Sequence, residues 1–210
     1  MFDAVARRAL QHPLDRMARA VDRPWMSPDR LTLLGLATGL AGAGAAALQE
    51  WTVALLLWLL SRLADGLDGP LARRRRRTGV GRTSGDAGGF LDIAADFTVY
   101  GTFVLAVGVG ATRPDGSLLP FMAVLLGYYV NGTTFLAFSS IAERTGRRID
   151  DDRSLSFLGG LAEGTETILV HSLWCLMPGS AGTIAWAWAA MVFVSAGQRI
   201  LTGYRLLRAG

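Results

Sequence analysis

Four aspartates carry the most chemistry in this 210-residue chain: Asp65 and Asp68 three residues apart in one apolar stretch, Asp92 and Asp96 four apart in another. On a helix, Asp65, Asp68, Ala72 and Arg73 share one broad face, and Gly88, Asp92 and Asp96 stack in a single column. Two carboxylate columns can then face each other. A buried aspartate costs about 2.5–3.5 kcal/mol at the centre of a membrane span, so four deep and unpaired ones would cost on the order of 10 kcal/mol. Divalent cations compensate such a cluster best, because carboxylates are hard oxygen ligands for Mg²⁺ or Mn²⁺ and these ions also bind phosphate oxygens. The plainer reading is that the acids pair with Arg62, Arg73 or Arg74. Gly69 beside Asp68 and Gly88 one turn before Asp92 remove side chains where a ligand, or a neighbouring helix, can approach closely. The Arg73 guanidinium has the fork geometry that grips phosphate.

The elements that position these residues read as membrane helices. The chain is 51% hydrophobic with a mean hydropathy of +0.34, yet it carries 21 basic residues, all arginine. Apolar runs near the length of a membrane span recur along it. The first, about 31–48, follows Ser27, Pro28 and Asp29, which together make a helix start. The second runs from Trp51 through Arg73, the third from Gly88 to Ala111, and the fourth from Phe121 to Ala142. The fifth spans Leu161 to Met177 and the sixth Ala181 to about Leu201. Ahead of them, Phe2, Ala6, Leu10, Leu14, Met17 and Val21 recur at steps of three and four, with most arginines off that stripe. This describes an amphipathic helix lying in the membrane interface, with a kink at Pro13, or an ordinary helix packed on the bundle.

The predicted architecture is therefore an all-α integral membrane protein: residues 1–27 form a juxtamembrane amphipathic helix and 28–210 a six-helix bundle, one domain in all. Six arginines fall in residues 1–30, six in 73–87, four in 143–153 and three after residue 198. Arg113 alone falls on the other side, and Arg62 lies within a span. The positive-inside rule reads the basic side as cytosolic, which puts both termini and the aspartates there, in a cell membrane of inner or cytoplasmic type. The arginines have no interleaved aromatic or polar readers, so they suit lipid headgroups rather than nucleic acid. The single Cys175 excludes an intrachain disulfide.

The string Asp65-x2-Asp68-Gly69-x2-Ala72-Arg73, followed by Gly88-x3-Asp92-x3-Asp96, resembles the defining motif of the CDP-alcohol phosphotransferases. The stretch Ser27-Pro28-Asp29-Arg30-Leu31-Thr32 is similar to the segment that opens that family's first span, with Asp29 where asparagine is usual. Fourteen residues, Arg74 to Ala87, separate the two clusters, longer than the family's usual spacer and rich in arginine. Residues 157–167 resemble a bacterial branch of the family.

The resemblance implies transfer of a phosphatidyl group from a CDP-linked lipid such as CDP-diacylglycerol to an alcohol, with release of CMP. It implies that Asp65, Asp68 and Asp92 hold two Mg²⁺ or Mn²⁺ ions, and that Asp96 bridges to them and acts as general base. Gly69, Ala72 and Gly88 would admit the nucleotide, Arg73 would steady its phosphates, and Thr32 would lie at the nucleotide rim. The partners implied are the lipid donor, the alcohol acceptor, membrane lipid and a second copy of the chain. Arg148, Arg153 and Arg199, near cytosolic ends of later spans, are candidates for binding a phosphorylated acceptor such as glycerol phosphate or inositol phosphate, or for anchoring headgroups. Glu163 and Glu166 either face the acceptor or pair with an arginine, and His171 reads as an interior residue. Two other readings compete: a Mg²⁺-dependent membrane prenyltransferase, and a divalent-cation transporter with carboxylates near the midplane of broken helices.

Overall fold

The computed structural model describes residues 3–79, 85–112, 116–145 and 162–208. Every regular element among them is helical: α1 Asp3–Val21, α2 Pro28–Ala47, α3 Trp51–Thr78, α4 Gly85–Ala111, α5 Leu119–Arg144, α6 Gly164–Leu176 and α7 Ala181–Arg208, with a 3₁₀ turn at Pro178–Ser180 before α7.

The start of α2 follows its sequence signals. The Ser27 hydroxyl accepts from the Arg30 amide at 3.2 Å, Pro28 opens the helix, and Asp29 sits in the positive first turn. A short turn joins α2 to α3, with Gln49 at φ 68° and its side-chain amide donating to the Gly110 carbonyl at 2.8 Å. The second apolar stretch and the arginine run form one 28-residue helix, α3, despite Pro70 in its interior. Pro70 cannot donate to the carbonyl one turn earlier, but that residue is Gly66, where no side chain adds to the crowding. Gly79, at φ 66°, ends the helix in the left-handed conformation that glycine adopts without strain.

Small residues let α2 lie against α3 and α4. Gly35, Gly39, Gly42, Ala43 and Ala46 are all buried. A Cβ at Gly39 would come within 2.6 Å of a Val99 methyl and 2.8 Å of the Ser61 hydroxyl, so only glycine fits between α3 and α4 there. The main core adds Trp58, Val99, Phe103, Phe121, Trp174 and Trp188, drawn from α3 to α7. α5 pairs chiefly with α7, and α6 packs on α3.

Among the described residues, four helical segments are long and apolar enough to cross a membrane: Pro28–Ala47, Asp86–Ala111, Leu119–Arg144 and Pro178–Arg208. α3 is as long, but Arg62, Asp65 and Asp68 interrupt its apolar run, and α6 has 13 residues. Leucines such as Leu34, Leu56, Leu60, Leu126 and Leu201 are exposed, as lipid-facing side chains would be. The described part of α1 packs inward through Leu14, Ala18 and Val21 on Leu31, Leu67 and Leu71. Just beyond α1, Asp22 pairs with Arg74 and Arg75 of α3, both at 2.9 Å, and these guanidinium groups hold its carboxyl below the usual value.

Candidate active site

The faces of α3 and α4 that carry the motif meet. Carboxylate oxygens of Asp65, Asp68 and Asp92 all lie within 4.8 Å of one another. Asp68 is 9% exposed and accepts a 2.6 Å hydrogen bond from the Thr32 hydroxyl at the start of α2. The helix start built by Ser27, Pro28 and Asp29 thus delivers a donor to the middle of the cluster. Three hard oxygen ligands this close repel one another strongly, and they suit Mg²⁺ or Mn²⁺ in donor type. Among the described residues no ion pair reaches Asp68 or Asp92, which leaves their charge for a bound cation to offset.

Asp96 lies one turn beyond Asp92 and has a different partner. Its Oδ1 accepts from Arg62 Nη1 at 2.6 Å, and the same nitrogen lies 3.8 Å from Asp65 Oδ2. Arg62 is itself buried. Its Nη2 donates to the Ser61 hydroxyl at 3.0 Å, and its guanidinium carbon stands 5.1 Å from the Trp58 ring centre and 4.8 Å from that of Tyr100. The pairing of the acids with Arg62 therefore occurs, but it covers Asp96 and Asp65 rather than the whole cluster. Sequence reasoning counted Arg62 only as a counter-charge. Its signal was its position, an arginine in an apolar run three residues before Asp65.

The remaining motif positions lie on the same two helices, α3 and α4. A Cβ at Gly69 would come within 3.3 Å of Arg73 Nη1, so the bare backbone makes room for that guanidinium. Ala72 is half-buried and Arg73 exposed. Gly88 is half-buried, and a Cβ there would lie 3.5 Å from an Asp29 carboxylate oxygen, so Asp29 stands beside the second glycine. Thr32 is buried against Asp68, deeper than a rim position suggests.

Of the acceptor candidates, Arg199 is buried on α7, where Nη1 donates to Asn131 Oδ1 of α5 at 3.1 Å. It lines a groove of about 410 Å³ between those helices, together with Tyr129, Thr133, Phe138 and Tyr204. Arg148, Arg153, residues 157–161 and residues 80–84 of the arginine-rich spacer lie outside the described residues. Glu163 immediately precedes α6 and Glu166 lies in its first turn. His171 is an interior residue, as read from the sequence: Trp188 Nε1 donates to the Tyr128 hydroxyl at 2.7 Å, and that hydroxyl lies 3.0 Å from His171 Nε2. Cys175 is buried.

Comparison with known proteins fits this geometry. The chain is 37% identical to the "Inner membrane protein YnjF" of Escherichia coli (strain K12), across 99% of this chain and 98% of that protein. Its fold is that of the Mycobacterium tuberculosis phosphatidylinositol phosphate synthase. The structure of that protein with CDP-DAG bound superposes with a TM-score of 0.69 at 20% identity, covering 91% of this chain and 93% of that one. Its complex with manganese and citrate gives 0.71 at 22%, covering 91% and 88%. The sequence model of CDP-alcohol phosphatidyltransferase matches residues 25–196, a stretch that runs from the turn before α2 into α7 and takes in both aspartate pairs. By that match the chain belongs to the CDP-alcohol phosphatidyltransferase family, transferases of phospholipid biosynthesis, and the prenyltransferase and transporter readings fall away.

Proposed function

We propose that this protein transfers the phosphatidyl group of a CDP-linked lipid, such as CDP-diacylglycerol, to an alcohol hydroxyl and releases CMP. The observation that carries the reading is the set of three carboxylates converging from α3 and α4. Asp65, Asp68 and Asp92 are the ligands for two divalent ions, Mg²⁺ or Mn²⁺. Bound there, the ions supply positive charge against the diphosphate oxygens and the leaving phosphate. The fold shared with a protein crystallised once with CDP-DAG and once with manganese supports both the donor and the metal.

Asp96 is the general base. As the acceptor oxygen forms its bond to the β-phosphorus that bears the diacylglycerol, the bond from that phosphorus to the CMP oxygen breaks. The hydroxyl proton passes to the Asp96 carboxylate, and CMP departs. Gly69, Ala72 and Gly88 leave room for the nucleotide, and exposed Arg73 steadies its phosphates. Thr32 holds Asp68 in the ligand set. Arg148, Arg153 and Arg199 receive a phosphorylated acceptor such as glycerol phosphate or inositol phosphate.

In the membrane, α2 to α7 form six spans, α3 and α6 included, with both termini and the aspartates on the cytosolic side. α1 lies along the interface, and the protein works as a homodimer. The test is CMP release from CDP-diacylglycerol with glycerol phosphate, inositol phosphate, serine, inositol or phosphatidylglycerol as acceptor, with Mn²⁺ and with EDTA. Acceptor-dependent release that EDTA stops and Mn²⁺ restores is expected. Full activity in chelator refutes the metal site, and no release with any acceptor refutes the transfer.

A further inference from the structure

Arg62 lies inside an apolar helix, 7% exposed, where an unpaired guanidinium would be strongly unfavourable. It does not reach for solvent. Its Nη1 takes Asp96 Oδ1 at 2.6 Å, while Asp65 Oδ2 is much farther at 3.8 Å. Three contacts fix the plane of the cation. The Ser61 hydroxyl accepts from Nη2 at 3.0 Å and is itself anchored by donating to the Gly35 carbonyl of α2 at 2.6 Å. The rings of Trp58 and Tyr100, from α3 and α4, stand 5.1 and 4.8 Å from its central carbon. A cation set against two rings and a hydroxyl has little freedom to follow a moving carboxylate.

The consequence falls on Asp96. The column of α4 puts Asp92 and Asp96 on one face, so both are candidates for the metal cluster, yet only Asp92 joins the three oxygens that lie within 4.8 Å of one another. Asp96 is tied by one oxygen to Arg62 instead. The geometry points to Arg62 as a positioning residue that fixes Asp96 through one oxygen and keeps its second oxygen for the acceptor hydroxyl. This rests on the reading of Asp96 as the base.

Positioning makes two effects of opposite sign when Arg62 is lost. Without it, a positive charge beside the cations is gone, so metal binding tightens. The base is then misplaced, so transfer slows. A residue that merely fills space and supports the bundle would weaken both together.

The experiment uses the full-length protein in detergent, with Mn²⁺ binding followed by calorimetry and CMP release by steady-state kinetics. Arg62→Gln is expected to bind Mn²⁺ about tenfold more tightly. Its kcat is expected to fall about 100-fold, with KM for the CDP-lipid changed by less than about twofold. Arg62→Lys should return Mn²⁺ affinity towards wild type but only part of kcat, because an ammonium lacks the fork and the stacking plane. Unchanged kcat in Arg62→Gln, or unchanged or weaker Mn²⁺ binding, overturns the assignment.

If Arg62→Gln does not fold, Ser61→Ala and Tyr100→Leu decide the matter by loosening one restraint each. A several-fold loss of kcat with Mn²⁺ affinity retained supports positioning, and no loss of kcat overturns it. A wild-type protein that binds Mn²⁺ but releases no CMP refutes the transfer reading separately. The Mn²⁺ titrations then decide on Arg62 alone, tighter binding in Arg62→Gln supporting it and equal or weaker binding overturning it.

Discussion

Adding Mn²⁺ should stabilise the fold, and the size of the effect follows from the aspartate cluster. Two unit charges 4.8 Å apart, the outer limit for Asp65, Asp68 and Asp92, repel by about 3.5 kcal/mol at an effective dielectric constant of about 20. The three pairs together bring this to roughly 10 kcal/mol if all are ionised, part of which Arg62 and the Thr32 hydroxyl offset. A divalent ion replaces that repulsion with attraction in the folded state only. With free Mn²⁺ at about 100 times its Kd, linkage gives about 2.7 kcal/mol of added stability. For a chain of this length each kcal/mol moves Tm by about 2–4 °C, so a rise of about 5–10 °C is expected between EDTA and saturating Mn²⁺. The assay is thermal unfolding in detergent, followed by tryptophan fluorescence or by loss of the monodisperse peak. Asp92→Asn should abolish most of the rise, since it removes the only one of the three ligands that α4 supplies. Equal shifts in wild type and Asp92→Asn, or no shift in wild type, would refute the reasoning.

Other consequences are testable in the same preparation. Thr32→Val removes a buried 2.6 Å hydrogen bond to a carboxylate, so metal-free stability should fall by about 1.5–3 kcal/mol, and a loss below about 0.5 kcal/mol in chemical denaturation would contradict that role. Gly39→Ala puts a methyl 2.6 Å from Val99, and a loss of about 1–3 kcal/mol is expected from the forced parting of α2 and α4; an unchanged Tm argues against that contact. Arg74 and Arg75 depress the Asp22 carboxyl below 3.8, so its hold on α3 is present above that pH and lost as pH falls through the lower folded-state value. Asp22→Asn should therefore speed proteolysis around α1 at neutral pH, and protection equal to wild type would show that the apolar contacts of Leu14 and Ala18 suffice alone.

Helical spacing made the aspartate pairs legible, because steps of three and four put carboxylates on one face whatever the rest of the chain does. The helix start at Ser27 was legible for the same local reason. The spacing does not say which face of α4 meets which face of α3, and so the division of the four aspartates into three clustered carboxylates and one paired with Arg62 emerges only from packing. Thr32 is a similar case. Its 36-residue separation from Asp68 hides a direct hydrogen bond that depends on glycines along α2 allowing close approach. The continuity of α3 through Pro70 and five consecutive arginines was legible only as far as Arg73, since charge and proline both argue locally for an end. The surroundings of Arg199 are the least legible part, because Arg199 meets Asn131 across 68 residues of chain and no motif marks either.

The central claim, that these aspartates form a transferase site with Asp96 as its base, is tested most directly by one comparison. CDP-diacylglycerol binding and CMP release are measured side by side in wild type and Asp96→Asn at saturating Mn²⁺. The account predicts that Asp96→Asn binds the lipid with a Kd within about threefold of wild type while its CMP release falls by at least about 100-fold. Near-normal CMP release from Asp96→Asn would contradict it.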